Sequence, residues 1–134
     1  MAAPQKPYPI ERLFQALADR TRLRLLRMMA KQEVCVCYFV QVIQAPQPKI
    51  SRHLAYLRRA GLVAARREGK WMHYRLAQPP DARAAAVFQA AMESLRQDKT
   101  MQRDFALLQK ACCGPKSLAQ SMGAPVPSAA QVSA

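Results

Sequence analysis

Acidic residues, cysteine and long apolar stretches are all scarce in this sequence. Only 8 Asp and Glu residues stand against 21 Lys and Arg, so the 134-residue chain carries a formal charge of +13. No apolar stretch reaches the roughly 20 residues of a membrane-spanning helix, and the N-terminal MAAPQKPYPIER lacks the hydrophobic run of a signal peptide. We therefore expect a cytoplasmic protein whose four cysteines are thiols or metal ligands rather than a disulfide framework.

The length and the 51% hydrophobic content predict a single domain with one modest core. We expect a proline-bearing N-terminal arm over residues 1–9, a folded domain over residues 10–113, and a flexible tail over residues 114–134, which are small and polar. Such a core is marginal alone. Self-association through a helix at one end of the chain is therefore expected.

The positive charge is concentrated in one part of the chain. Residues 49–75 contain eight Lys and Arg side chains and a single acid, Glu68. A strong positive charge favours a nucleic acid or an anionic membrane surface as partner. Solubility alone does not require clustering, so the cluster predicts a binding surface.

Apolar spacing and capping residues predict a mainly α-helical chain with one small β-hairpin. The expected elements, in order, are a helix from Ile10, a second helix capped by Asp19, a short uncharged helix over 34–43, a basic helix from Pro48 to Gly61, a hairpin of Leu62–Arg67 and Trp71–Leu76, and one or two helices over 81–111.

A short helix, a proline-marked turn, a basic helix and a basic hairpin are together typical of a winged helix-turn-helix, in which the second helix enters the major groove of DNA. Polar side chains near the start of the basic helix suit base edges, and cations on the helix and hairpin suit phosphates. The predicted DNA-binding residues are Gln47, Lys49, Ser51, Arg52, His53, Tyr56, Arg59, Arg66, Arg67 and Lys70.

Four runs carry a family resemblance: LADRTRLRLL, EVCVCYF, PQPKISRHLAYLRRAGLV and GKWMHYRL. In this order, over roughly residues 10–77, they resemble the ArsR/SmtB family of metalloregulatory repressors, and most closely its arsenical-responsive members. The resemblance implies a homodimer joined through the first and last helices, with a β-wing. It also implies binding to double-stranded operator DNA without any required cofactor.

Cys35-Val36-Cys37 resembles the Cys-x-Cys sequence that supplies inducer ligands in those members. Thiolate sulfur prefers soft ions such as trivalent arsenic or antimony. Side chains two residues apart diverge on a helix but share one side of an extended segment. We therefore expect the inducer to unwind the start of this helix, shift the recognition helix behind it and lower operator affinity.

Two positions depart from the family pattern. The third cysteine, three positions after the second, is replaced by Val40, and the expected Asp after the second is replaced by Tyr38. We therefore predict Cys112 and Cys113 as further metal ligands. Without them, a two-thiolate site would suit a monomethylated trivalent arsenical better than arsenite.

The predicted function is repression of an arsenic-resistance operon with release by trivalent arsenicals or antimonite, and not catalysis. A cadmium or lead sensor of the same family is the nearest alternative, since those ions are also thiophilic. A zinc sensor is disfavoured because residues 81–111 contain no His. A thiol redox enzyme would need a Cys-x-x-Cys motif or an oxyanion cradle, and a structural nucleoid protein would ignore thiol reagents.

Overall fold

The computed structural model of the protein describes residues 7–113 and 118–129. Its elements are α1 (Ile10–Leu17), α2 (Arg20–Met28), β1 (Gln32–Cys35), α3 (Val36–Ile43), α4 (Gln47–Arg59), β2 (Val63–Glu68), β3 (Trp71–Leu76), α5 (Ala82–Ser94), α6 (Lys99–Cys113), α7 (Leu118–Met122) and β4 (Ser128–Ala129). The prediction of a mainly α-helical chain with a small hairpin is confirmed.

The residues expected to begin and end helices do so. The Asp19 carboxylate accepts a hydrogen bond from the backbone N–H of Arg22 at 3.0 Å and caps α2. Asp81 caps α5 in the same way. Pro48 lies in the first turn of α4, where its missing N–H costs nothing. Gly61 follows α4 with φ +79°, a conformation that L side chains rarely adopt.

The strand β1 differs from the helix expected over 34–43, because Val34 and Cys35 belong to a strand and α3 begins only at Val36. β1 pairs antiparallel with β3, so that Val34 lies opposite Tyr74 and Cys35 opposite His73. The β-branched run was ambiguous between helix and strand in isolation. Pairing with the hairpin, a contact distant in sequence, decides it for the first two residues.

The core lies between α1, α2, α3 and α4 and continues onto α5 and α6. The predicted apolar stripe of α4, which consists of Ile50, Leu54 and Leu57, is fully buried. This burial fixes the opposite face of α4 toward solvent. By contrast, Ile10 and Phe14 on α1 stay exposed, at 36% and 54% of their surface.

The helical sequence over 81–111 forms two helices rather than one. A 3-10 turn over Leu95–Gln97 separates them, and the Asp98 carboxylate accepts a hydrogen bond from the backbone N–H of Met101 at 3.1 Å. The sequence had left both possibilities open. The break turns α6 back against α2 and α3.

The expected flexible tail differs from the structure over residues 118–129. There α7 packs against α6, and β4 pairs with β1 at Gln32 and Glu33. The Tyr38 hydroxyl donates to the carbonyl oxygen of Ala124 at 3.3 Å, and Ala124 is buried. The burial of Ala124 and the pairing of β4 with the edge of β1 therefore order a segment whose composition predicted a flexible tail.

The other expectations for the ends of the chain fall on residues 1–6, 114–117 and 130–134, outside the residues that the structure describes. Within the described ranges, none of the helices combines the length and the apolar character required to cross a membrane.

Candidate DNA-binding surface and thiol pair

The outward face of α4 carries the first group of predicted DNA-binding residues. Gln47, Lys49, Arg52 and Arg59 are exposed, and Ser51 is half-buried. Because the buried stripe holds α4 against α2 and α3, these side chains share one surface. Their donors are presented together on the helix that the motif assigns to the major groove.

His53 and Tyr56 lie on the side of α4 that faces α2. The Nδ1 atom of His53 lies 3.4 Å from Nη1 of Arg22 and 3.9 Å from the Asp19 carboxylate. The guanidinium of Arg22 stacks over the Tyr56 ring at 4.3 Å. Burial, with the surrounding cations, lowers the pKa of His53 against the opposing effect of Asp19. The structure thus places these two residues at a contact between helices, where the guanidinium of Arg59 also lies 5.9 Å from the centre of the Tyr56 ring.

The hairpin β2–β3 forms the wing, with Gly69 at its turn in the left-handed region. Arg67 and Lys70 are exposed, and Nζ of Lys70 lies 4.9 Å above the Trp71 ring. Arg66 differs from both of them. Its guanidinium is bound by two carboxylates, those of Glu33 and Glu68.

One exposed cation on α4 was not among the predicted residues. Arg58 lines a depression between α4 and β3 together with Ser51, Arg59 and Tyr74. The concentration of basic residues over 49–75 was the signal that could have identified it. The outward face predicted for α4 from its apolar spacing did not include Arg58.

Cys35 and Cys37, which we call the thiol pair, meet at the junction of β1 and α3. Cys35 is the last residue of β1 and has extended backbone with ψ 143°, whereas Cys37 lies in the first turn of α3. Their Sγ atoms are 3.4 Å apart. From the sequence we expect the sulfurs to come together most easily by unwinding of the helix start, but the strand-to-helix junction already holds them close.

The thiol pair is shielded from solvent and internally hydrogen-bonded. Cys35 is buried and Cys37 half-buried. The hydrogen bond donated by the Cys37 thiol lowers the pKa of Cys35, aided by backbone N–H groups, and the same bond raises the pKa of Cys37. Burial, together with the two neighbouring sulfurs, raises the pKa of Tyr38 to about 12. One thiolate is thus favoured at this corner, and Tyr38 stays neutral beside it.

The second pair of predicted ligands lies on α6. Cys112 is buried in the same apolar core as Cys35, and its Sγ atom lies 3.3 Å from the carbonyl oxygen of Gln109. It is disulfide-bonded in this structure. Cys113 ends α6, and its side chain is outside the described part. Among the described side chains, no group of three or more His, Cys, Asp and Glu is placed to hold a metal ion.

The fold and its cationic surface define a class of protein. An outward basic helix that follows a proline-marked turn, with a basic hairpin beside it, is a winged helix-turn-helix. Residues 19–65 match the family model described as bacterial regulatory protein, arsR family. The chain belongs to this family, whose members are regulatory proteins rather than enzymes.

Individual relatives agree with the family assignment. The chain is 46% identical to the arsenical resistance operon repressor of Escherichia coli (strain K12) over 84 residues, 62% of this chain and 71% of the relative. It is 44% identical to the arsenic resistance transcriptional regulator ArsR1 of Pseudomonas putida over 91 residues, 64% and 71% of the two chains. A homodimeric winged helix-turn-helix DNA-binding domain from Mycobacterium bovis superimposes with a TM-score of 0.52 at 32% identity, covering 66% of this chain and 82% of that one.

Proposed function

We propose that this protein is a homodimeric, cytoplasmic repressor of an arsenic-resistance operon that leaves its operator when a trivalent arsenical or antimonite binds the thiol pair. The observation that carries the proposal is the 3.4 Å separation of the Cys35 and Cys37 sulfurs. The similarity to an arsenical resistance operon repressor and to an arsenic resistance transcriptional regulator supports the same function.

The DNA-binding part of the proposal is supported by cations that have no carboxylate partner. Among the residues that the structure describes, no salt bridge involves Lys49, Arg52, Arg59, Arg67 or Lys70. Unpaired cations along one helix and one hairpin can neutralise phosphates and release counterions. Gln47 and Ser51, at the start of α4, add neutral groups suited to base edges.

The dimer is supported by apolar side chains left exposed on the first and last long helices. Ile10 and Phe14 on α1 and Leu107 on α6 each expose more than a third of their surface. Large apolar side chains on a surface mark places where another surface binds. Because the relative from Mycobacterium bovis is a homodimer, a second copy of this chain is the partner that we propose for these side chains.

The inducer part rests on the chemistry of the thiol pair. Soft ions bind thiolates strongly, and zinc–thiolate bonds, as a guide, are about 2.3 Å long. Two sulfurs 3.4 Å apart can therefore both bond to one ion. Cys112 and Cys113 are the candidate further donors, and a role for Cys112 requires that its disulfide is reduced first.

The route to α4 is short. Cys37 lies in the first turn of α3. The helix ends at Ile43, and Gln44 follows it with left-handed backbone, φ 58°, before Pro46 and α4. An ion held by the thiol pair weakens operator binding only if it binds more tightly to a conformation that does not fit DNA. In a dimer, a shift of each α3 would alter the spacing of the two α4 helices.

The test is a titration of the operator complex with arsenite, methylarsenite, antimonite, cadmium and zinc, under a reductant that keeps the thiols free. The double variant C35S/C37S should bind the operator like the wild type and should not be released by arsenite. The matched control is C112S/C113S, which shows whether a third donor is needed for arsenite but not for methylarsenite. Arsenite release of C35S/C37S would disprove the assignment, and release by cadmium alone would establish the cadmium-sensor alternative.

A further inference from the structure

A buried carboxylate links the strand of the thiol pair to the wing. Glu33 lies on β1, two residues before Cys35, and is only 8% exposed. Its Oε1 atom accepts hydrogen bonds from Nε of Arg66 at 2.8 Å and pairs with Nη2 at 2.6 Å. Nη1 of Arg66 reaches the exposed carboxylate of Glu68 at 3.1 Å. All three nitrogens of the Arg66 guanidinium are therefore engaged at the base of the wing.

A histidine is enclosed beside this ion pair, and we call Glu33, Arg66 and His73, which lie where the wing pairs with β1, the wing-base cluster. Nδ1 of His73 lies 3.8 Å from Oε1 of Glu33, and Nε2 lies 3.8 Å from Oε1 of Glu68. His73 is 5% exposed, and its Nε2 atom has no hydrogen-bond partner among the residues that the structure describes. A buried polar atom left without a partner is uncommon in native proteins and needs a reason.

The strand register explains why the cluster and the thiol pair are connected. His73 on β3 lies opposite Cys35 on β1 and opposite Arg66 on β2. Residues directly opposite each other in a sheet share one face, as do residues two apart on a strand. Glu33, Cys35, His73 and Arg66 therefore lie on the same face of one three-stranded unit.

We propose that the wing-base cluster transmits the state of the thiol pair to the wing, and that Arg66 is a positioning residue for the hairpin. The inference rests on the proposed function. β1 is only four residues long, so a displacement of Cys35 displaces Glu33 as well. Separating a buried carboxylate from its cation costs free energy. Arg66 and the hairpin therefore move together with Glu33. In a second arrangement of the cluster, Nε2 of His73 can gain the hydrogen-bond partner that it lacks among the described residues.

The competing role for Arg66 is a direct contact with a DNA phosphate, as the sequence predicted. The two roles differ in what they require. A phosphate contact requires only a positive charge at that position, and Lys supplies it. The positioning role requires the planar fork that meets Glu33 through two nitrogens.

The experiment measures, for each full-length variant, operator affinity with and without saturating arsenite, together with arsenite binding to the free protein. The test variants are E33Q and R66K. The matched control is E68Q, which removes the other carboxylate bound to Arg66, one that is 60% exposed and does not lie on β1. The salt dependence of operator binding is recorded as a readout of phosphate contacts.

We expect E33Q and R66K to reduce the arsenite-induced change in operator affinity by about two- to thirtyfold, the range seen for residues that couple two sites. Both should still bind arsenite, R66K should keep the wild-type salt slope, and E68Q should release like the wild type. Full release in E33Q and R66K would overturn the proposal, as would an equal defect in E68Q. Loss of arsenite binding itself in both test variants would also overturn it, because the cluster would then belong to the ligand site. If the wild-type complex survives arsenite, the proposed function fails instead.

Discussion

Two regions of the molecule are rich in arginine, and they use it in opposite ways. On α2, Arg20 and Arg24 form ion pairs with Asp98 and Asp104 at 2.8 Å, and Arg22 contacts backbone carbonyl oxygens. On α4, the structure shows no described carboxylate beside the exposed cations. The same residue type therefore joins helices in one region and is left available for an anionic partner in the other.

The difference follows from where the few acids lie. With eight Asp and Glu in the chain, most cations must stay unpaired. The acids that pair with the arginines of α2 lie next to it in space, on the loop before it and on the segment from Asp98 to Asp104. A count of charge along the sequence identifies both regions as basic. Only the fold separates cations that hold the structure together from cations that bind.

The largest effect is expected at Asp104, which is 1% exposed and receives two hydrogen bonds from Arg24, at 2.8 and 2.9 Å. D104A should lower the free energy of unfolding by about 3–5 kcal/mol, because it leaves a partly buried cation without its partner. Urea unfolding measures the loss. The control R24M/D104L replaces both charges with apolar groups and should recover most of it. Equal losses in the two variants would show that the charge pair is irrelevant.

Arg22 comes next. Its guanidinium donates to the carbonyl oxygens of Ala16 at 2.8 Å and Gln15 at 2.9 Å and stacks on Tyr56. R22A should cost about 1–3 kcal/mol of stability, since it removes the donors that the Arg22 side chain supplies to two carbonyl oxygens at the end of α1. It should also weaken operator binding with an unchanged salt slope, because Arg22 orients α4 without contacting DNA. A reduced slope would show that Arg22 contacts phosphate.

Arg52 is one of the exposed cations on α4, the second of the two arginine-rich regions. R52A should weaken operator binding by about 1–3 kcal/mol and reduce the salt slope by about one if it contacts phosphate. The free energy of unfolding should stay within about 0.5 kcal/mol of the wild type, because the side chain is exposed. Fluorescence anisotropy with a labelled operator at several salt concentrations gives the operator affinity and the salt slope. Unchanged affinity would remove Arg52 from the DNA surface.

The smallest effect is expected for the exposed pair Arg20–Asp98. The hydrogen bond from Arg20 lowers the pKa of Asp98, together with backbone N–H groups. A carboxyl whose pKa is lower in the folded state contributes stability above its unfolded pKa and loses it as the pH falls through the folded pKa. R20A should therefore differ slightly from the wild type at neutral pH and match it in acid. A difference that persists in acid would point to packing rather than charge.

The sequence predicted the elements whose signals are local. Asp19, Pro48 and Gly61 mark helix ends, and the apolar stripe of α4 fixes which face of that helix is buried. These features depend on backbone hydrogen bonding and on a 3.6-residue period, both of which can be identified within about ten residues.

The features that the sequence did not predict depend on pairing across the chain. β1 exists because β3 lies beside it, and the approach of the two sulfurs follows from that strand. The contact of Glu33 with Arg66 spans 33 positions, and no local pattern signals it. Likewise, the carbonyl oxygen of Ala124 is bound by the hydroxyl of Tyr38, which lies 86 positions earlier. Contacts of this kind are set by tertiary structure.

The most decisive measurement counts arsenite and operator on the same protein. A labelled operator saturated with the repressor is titrated with arsenite, and the arsenic that co-isolates with the protein–DNA complex is determined at each step. If the two ligands exclude each other, operator occupancy falls in proportion to arsenite bound, and the remaining complex carries almost no arsenic. A complex that keeps the operator with arsenite bound at the thiol pair would contradict the proposed mechanism.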